Sequence, residues 1–242
     1  MNKQLTKEQV AKAGVGVVEG MSLFASDIRA DSEKQARLVE QQLGLPVIIK
    51  PVHLGSSIGI KVAKTAVELE KYLLEASFVD KEILVEKYLT GFTEYNSAVR
   101  LIDGKLEVSE IERPLSHDEI LSFADKYQRG SKKTGGSGMA SLQRELPANI
   151  SAELRSEIQE VAKKAFVACR CKGMVRIDFM QTKEGKLLLT EINPIPGSMA
   201  FYLWEAAGIT FKQQITDLLE QAVHDAEVSK STTCLLYTSP SP

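Results

Sequence analysis

Residues 176–198, RIDFMQTKEGKLLLTEINPIPGS, constrain this chain more than any other stretch. Apolar and polar residues alternate on both sides of Glu184-Gly185, and glycine supplies a turn conformation there, so the segment reads as a β-hairpin. If Lys183 faces Lys186, the pairing follows: Asp178 falls opposite Glu191 and Arg176 opposite Asn193. Residues two apart on a strand share a face. One face therefore gathers a guanidinium, two carboxylates and a carboxamide, while Val175, Ile177, Phe179, Leu187, Leu189 and Ile192 make the hairpin part of a core. An isolated Asp and Glu usually form no more than a solvated surface pair. Here the set runs straight into Pro194-Ile195-Pro196-Gly197-Ser198, a stiff turn that presents backbone N–H groups. Oxygen donors of this kind suit Mg²⁺, which takes one or two carboxylates together with substrate phosphates. The pattern predicts a phosphate-handling face.

The rest of the chain narrows the classes open to it. Its 242 residues suffice for one large or two small domains. With 30 basic against 32 acidic residues and no long run of either sign, it offers neither a nucleic-acid nor a polybasic membrane surface. No apolar run approaches a membrane span, and MNKQLTKEQV lacks the apolar centre of a signal peptide, so a cytoplasmic location is expected. Cys169 and Cys171 stand two apart at a helix end, poor geometry for a disulfide and without a histidine partner for zinc. They read as buried or half-buried free thiols.

In chain order, a helix is predicted over 6–13, stopped by Gly14, and a strand-like run over 15–24. The glycines Gly14, Gly16 and Gly20 follow a helix rather than a strand, the wrong setting for a dinucleotide loop. An amphipathic helix opens at Asp31 and closes at Gly44. A short buried strand over 46–51 leads into Val52-His53-Leu54-Gly55-Ser56-Ser57-Ile58-Gly59, where N–H groups, hydroxyls and the Lys50 ammonium can meet phosphate oxygens. His53 reads as a loop residue used for its backbone. A helix capped by Thr65 runs to residue 76, a strand covers 81–89, and Thr90-Gly91 offers a crossover between two lobes. A hairpin turns at Asp103-Gly104. Residues 116–146 hold four glycines and little periodicity, the character of a lid loop. Helices are predicted from the Ser151 cap to Cys169 and over 211–223, with His224 exposed. The last nine residues, CLLYTSPSP, resemble a translated sequencing-library adapter, so 234–242, with Cys234, are set aside as an artefact.

Together these motifs resemble the D-alanine–D-alanine ligase family of the ATP-grasp superfamily. The residues that carry the resemblance are Lys50-Pro51 through Gly55-Ser56-Ser57-Ile58-Gly59, and Ile83-Leu84-Val85-Glu86-Lys87-Tyr88-Leu89 with Gly91 and Glu94. Lys126-Tyr127, Cys171-Lys172-Gly173 through Arg176-Ile177-Asp178, and Glu191-Ile192-Asn193 through Pro196-Gly197-Ser198 complete it. The resemblance covers nearly all of 1–228. It implies an α+β ATP-grasp fold in which two α/β lobes with mainly antiparallel sheets enclose the nucleotide. The small lobe would span 1–89 and the large C-terminal lobe 90–230.

By position, the resemblance implies that Lys3, Lys50 and Lys126 contact ATP phosphates under a Gly55-Ser56-Ser57 cover. Glu86, Lys87 and Leu89 would line the adenine, and Glu94 the ribose. Asp178, Glu191 and Asn193 would hold two Mg²⁺ ions, with Mn²⁺ as an alternative. Arg176, Gly197 and Ser198 would orient the substrate carboxylate and acyl phosphate, and Ser56 and Tyr127 would join a hydrogen-bond network to an N-terminal domain. The implied reaction joins two D-alanines through a D-alanyl phosphate, for peptidoglycan precursors, with no nucleic-acid or membrane partner. A homodimer is open for the intact protein. The family's N-terminal domain has no counterpart in these residues, so the chain reads as a fragment expected to bind MgATP weakly and make little dipeptide. The stretch after Gly197 is shorter than in many members. A D-alanine–D-serine ligase, another ATP-grasp carboxylate–amine ligase, and a nucleotide-binding module without catalysis are the competing expectations.

Overall fold

A computed structural model describes residues 2–55, 57–115 and 144–231, with side chains through Val228. Two four-stranded antiparallel sheets follow one another along the chain. The first has the order β1 (Gly20–Phe24), β4 (Glu82–Lys87), β2 (Val47–Pro51), β3 (Lys61–Ala63). Three helices cover it: α2 (Ala25–Ala30), α3 (Ser32–Leu43) and α4 (Ala66–Ala76). The helix ends are dictated locally. The Asp31 carboxylate accepts from Lys34 N at 2.9 Å, and Thr65 and Glu68 form a reciprocal capping box at the start of α4. Between helices and sheet lie Leu23, Ile28, Val39, Val47, Ile49, Leu69, Leu73, Ile83 and Val85.

The second sheet has the order β10 (Leu187–Asn193), β9 (Met174–Gln181), β5 (Thr93–Ile102), β6 (Lys105–Val108). A two-residue ladder of β7 (Arg113–Pro114) with β8 (Arg144–Glu145) adjoins β5, whose Asn96 bridges to Glu112 just before β7. One face is covered by α5 (Ala152–Ala168), whose Ile158, Ala162, Ala165 and Phe166 meet Val175, Ile177 and Phe179. The first helix, α1 (Lys3–Lys12), precedes the first sheet in sequence, yet its Val10 packs with Val15 into this second core. On the opposite face, α6 (Phe201–Ala206) and α7 (Phe211–Ser231) seat Leu203 and Trp204 over Ala98 and Met174. Arg100, 4% exposed, lies beneath the Trp204 ring at 4.7 Å and pairs with Glu107 at 2.6 Å and Asp217 at 3.1 Å.

Several expectations are corrected. The first helix begins at Lys3 because the Asn2 side chain caps it, accepting from Leu5 N at 2.8 Å. Of the run 15–24, only Gly20–Phe24 is strand; Val17 makes a single bridge to Leu189, and α2 follows unforeseen. The last helix continues to Ser231. His53 is engaged through its ring as well as its backbone: Nδ1 lies 2.9 Å from Asp80 Oδ1, and His53 N donates to Asp80 Oδ2 at 2.6 Å. No helix among the described residues is long and apolar enough to cross a membrane.

The hairpin turn also differs. Gly185 N bonds Thr182 O and Thr182 N bonds Lys186 O, each at 2.9 Å, so three residues rather than two make the connection. The pairing near the turn is Leu187 with Gln181 and Leu189 with Phe179, one residue out of the expected register. A β-bulge at Thr190 then adds one residue, and Glu191 meets Asp178 and Asn193 meets Arg176 as expected. The bulge also switches faces: Leu187 and Leu189 point into the core before it, and Ile192 after it.

Candidate functional site

The bulge delivers Glu191 and Asn193 to the face of β9 that carries Arg176 and Asp178. Both Asp178 oxygens are held by Arg176, Oδ1 by Nε at 2.7 Å and Oδ2 by Nη2 at 2.9 Å, and Asn193 Nδ2 adds a 3.0 Å bond to Oδ2. Burial works against the Arg176 charge, but Asp178 outweighs it, and the guanidinium is held above its ordinary range. Burial and the facing Asp178 push the Glu191 carboxyl up. Thr190 Oγ1 donates to Asp178 O at 2.9 Å and anchors the bulge.

Two lysines approach this face from elsewhere. Lys3 Nζ lies 3.7 Å from Glu191 Oε1 and also donates to the Leu54 carbonyl. It thereby ties the loop after β2 to the hairpin. Burial lowers the Lys3 ammonium, and Glu191 opposes that shift. Lys50 acts electrostatically on both Lys3 and Glu191, while its Nζ donates to Glu86 Oε2 at 2.6 Å.

Glu86 is 5% exposed, and Lys7 of α1 takes its other oxygen. Burial alone would raise this carboxyl; Lys50 and Lys7 outweigh it and hold it below its usual range. Gly20 makes room for the group, since a Cβ there would stand 2.5 Å from Val85 O and 2.8 Å from Glu86 Cγ. Lys87 points elsewhere, as a strand neighbour must, and pairs with Glu19 at 2.5 Å. Leu89 is half-buried. Glu94 lies opposite Met180 in register, and so on the face of Asp178, two residues along. Gly55 is exposed, and its carbonyl accepts from Ile58 N at 3.1 Å, while Ser57 is left-handed with φ 59°. Gly197 and Ser198 are exposed at the end of β10. Ser56, Lys126, Tyr127 and nearly all of the expected lid lie outside the described residues.

Asn96, Glu112, Tyr202 and Arg144 at this face, and Lys7 on the neighbouring Glu86, escaped the sequence reading. Asn96 pairs with Asp178 on one side and bridges to Glu112 on the other, so Glu191, Asp178, Asn96 and Glu112 form one row across the sheet. Glu112 is buried and satisfied by Asn96 Nδ2 at 3.1 Å, Tyr202 OH at 3.0 Å and Arg144 Nη1 at 3.3 Å. Burial and Glu112 push the Tyr202 hydroxyl well above its ordinary value. The pairing of β5 with β9 joins residues about eighty apart, which no local pattern discloses. Lys7 had a signal, because four residues after Lys3 on a helix is the same face.

No three His, Cys, Asp or Glu side chains cluster as a metal cage among the described residues. The donor set is instead two carboxylates and a carboxamide whose oxygen becomes available by turning the amide. This fits Mg²⁺, which completes its shell with water and phosphate oxygens.

Residues 9–220 match the family described as D-ala D-ala ligase C-terminus. A D-alanine–D-alanine ligase of Pelodictyon phaeoclathratiforme is 36% identical over 228 residues, covering 92% of this chain and 60% of the relative. One from Thermosipho africanus is 32% identical over 231 residues, covering 96% and 60%. The chain thus spans three fifths of the length of these relatives. Among solved structures, the VanG D-Ala:D-Ser ligase of Enterococcus faecalis superposes with a TM-score of 0.74 at 28% identity, over 91% of this chain and 61% of that one. The D-alanine–D-alanine ligase of Coxiella burnetii gives 0.74 at 26% identity, over 95% and 59%. The two-sheet architecture is the α+β ATP-grasp arrangement of these neighbours.

Proposed function

The chain belongs to the D-alanine–D-alanine ligase family, and on that premise we propose that it carries the nucleotide- and metal-handling part of an ATP-dependent ligase that joins two D-alanines. One observation supports this above others: Arg176, Asp178, Glu191 and Asn193 share a sheet face to whose edge Lys3 and Lys50 are brought. A module that only held ATP would need no such complete set.

In this reading Asp178, Glu191 and Asn193 hold two Mg²⁺ ions, with Mn²⁺ as an alternative. When bound, these ions neutralise charge on the phosphoryl oxygens. Lys3, Lys50 and Lys126 bind the phosphates beneath Gly55-Ser56-Ser57; Glu86, Leu89 and the main chain of Lys87 line the adenine, and Glu94 holds the ribose. A carboxylate oxygen of one D-alanine bonds to the γ-phosphorus of ATP as the bond to ADP breaks. The amine of the second then bonds to the acyl carbon, phosphate leaves and the amine loses a proton. Arg176, with Gly197 and Ser198, orients the carboxylate and stabilises charge that grows on oxygen in both steps. Ser56 and Tyr127 complete the hydrogen-bond network. The small lobe spans 1–89, apart from α1 on the second core, and the large lobe 90–230 with its lid at 116–146. The setting is cytoplasmic synthesis of peptidoglycan precursors.

The likeness to a D-Ala:D-Ser ligase favours D-serine as the competing second substrate. The first test is calorimetry of ATP against the folded chain with and without Mg²⁺; Mg²⁺-dependent binding is expected, and its absence overturns the reading. The second uses a chimera whose remaining length comes from the Pelodictyon relative. Phosphate release with D-alanine alone supports the dipeptide ligase, and release only when D-serine is added favours the alternative.

A further inference from the structure

The connection from Pro196 to α6 is only four residues, Gly197–Ala200, and three of them are left-handed: Ser198 (φ 51°, ψ 27°), Met199 (φ 53°, ψ 28°) and Ala200 (φ 46°, ψ 32°). None of the three is glycine. L-residues avoid this region singly, and three in succession persist only where the surroundings over-determine them. Two local bonds help, Met199 N to Pro196 O at 2.9 Å and Phe201 N to Ser198 O. Burial of Ala200 beside Leu203 and Trp204 pins the far end.

The third anchor comes from another element. Gln214, in the first turn of α7, is fully buried, and its Nε2 donates to the Met199 carbonyl at 2.8 Å. The same Nε2 lies 3.0 Å from Met174 Sδ, which also accepts from Trp204 Nε1 at 3.0 Å. The Gln214 amide oxygen has no hydrogen-bond partner among the described residues. Packing does not account for a carboxamide in this place, because an apolar side chain of similar volume would fill the space without desolvating an unsatisfied oxygen. What the carboxamide contributes is a fixed direction for the Met199 carbonyl, in the middle of the left-handed turn.

We propose that Gln214 is a positioning residue: it holds the Ser198–Ala200 turn in the conformation that presents Gly197 and Ser198 to the substrate carboxylate. The second half of this statement rests on the function proposed above; the first does not. A turn this strained and this short has one shape when its central carbonyl is held, and several when it is released.

The test follows amide hydrogen exchange by NMR on the chain. Gln214→Met conserves volume beside Met174 but removes the donor. Amides of Ser198, Met199, Ala200 and Phe201 are expected to exchange about tenfold faster, with those of α7 and β9 unchanged. Gln214→Glu, measured near pH 5 where a buried carboxyl stays protonated and offers an O–H to Met199, is expected to restore the parent rates. Unchanged exchange at 198–201 overturns the proposal. So does acceleration spread through α7 and β9, which would make Gln214 a packing residue and nothing more. In a separate titration, D-alanine added with MgATP is expected to shift the Ser198 amide in the parent and to need about tenfold more ligand in the methionine variant. If the exchange result holds while the parent amide ignores D-alanine, the positioning role stands and the assignment of the turn to substrate falls.

Discussion

Lys50 Nζ and Glu86 Oε2 lie 2.6 Å apart, and Lys7 from α1 holds the second oxygen of the same carboxylate. The small lobe and the first helix therefore meet at one buried charge. Glu86→Ala leaves two ammonium groups without their counter-charge and is expected to cost about 3 kcal/mol in urea unfolding at neutral pH. A loss under about 1 kcal/mol would mean that water already compensates the lysines.

The pH dependence of that pair has a definite sign. The Glu86 carboxyl is held below its unfolded value of 4.5. Its contribution is therefore complete above that value and lost as pH falls through the lower folded one. The stability gap between parent and Glu86→Gln is expected to be constant from pH 7 to about pH 5 and to shrink steadily below it. A gap that widens on acidification would contradict the ion-pair account.

Glu191 should behave in the opposite way. It faces Asp178 and is pushed up by burial and by that neighbour, so an ionised carboxylate there costs folding free energy. Glu191→Gln is expected to leave stability unchanged or raise it by about 0.5–1 kcal/mol, while weakening Mg²⁺-dependent ATP binding at least about tenfold. A substitution that lowered both together would point to a structural role.

The Thr190 bulge makes a sharper prediction. Thr190 is the extra residue, so its deletion makes the ladder regular: Leu189 opposite Phe179 is followed at once by Glu191 opposite Asp178, Ile192 stays in the core and Asn193 stays opposite Arg176. The deletion is expected to cost no more than about 1–2 kcal/mol in urea unfolding, the loss of the Thr190 bond to Asp178 O included, and to leave MgATP binding in place. A deletion variant that unfolds or loses MgATP binding would contradict this account of the bulge.

The cysteines offer a chemical check. Burial pushes the Cys171 thiol up to about 11, and Cys169 is raised for the same reason. At pH 8 both are expected to react with a disulfide reagent roughly a hundredfold more slowly than a free thiol. Peptide mapping that found Cys171 labelled as fast as free cysteine would contradict this.

Much of the fold was legible because its signals are local. Asp31, Thr65 and Ser151 each cap a helix through their own side chains, and Asp103-Gly104 makes a tight turn between paired strands. Missed signals were ones a neighbour supplies. The His53 ring is claimed by Asp80, twenty-seven residues on, and α1 sits on a core built almost wholly from residues beyond 94. Asn96, Glu112 and Tyr202 enter the site only through strand pairing and helix docking.

The hairpin divides the two kinds of information most clearly. Residue order alone determined that Arg176 and Asp178 share a face, because side chains on a regular strand alternate. Order alone also determined that a turn falls near Gly185. It did not determine that Glu191 and Asn193 join them, since from Leu187 onward strict alternation puts both on the core side. The tertiary structure decided that point. Leu187, Leu189 and Ile192 must all be buried against α5 and the segment before β1, and only an extra residue at Thr190 lets the strand satisfy the core and still turn its carboxylate towards Asp178.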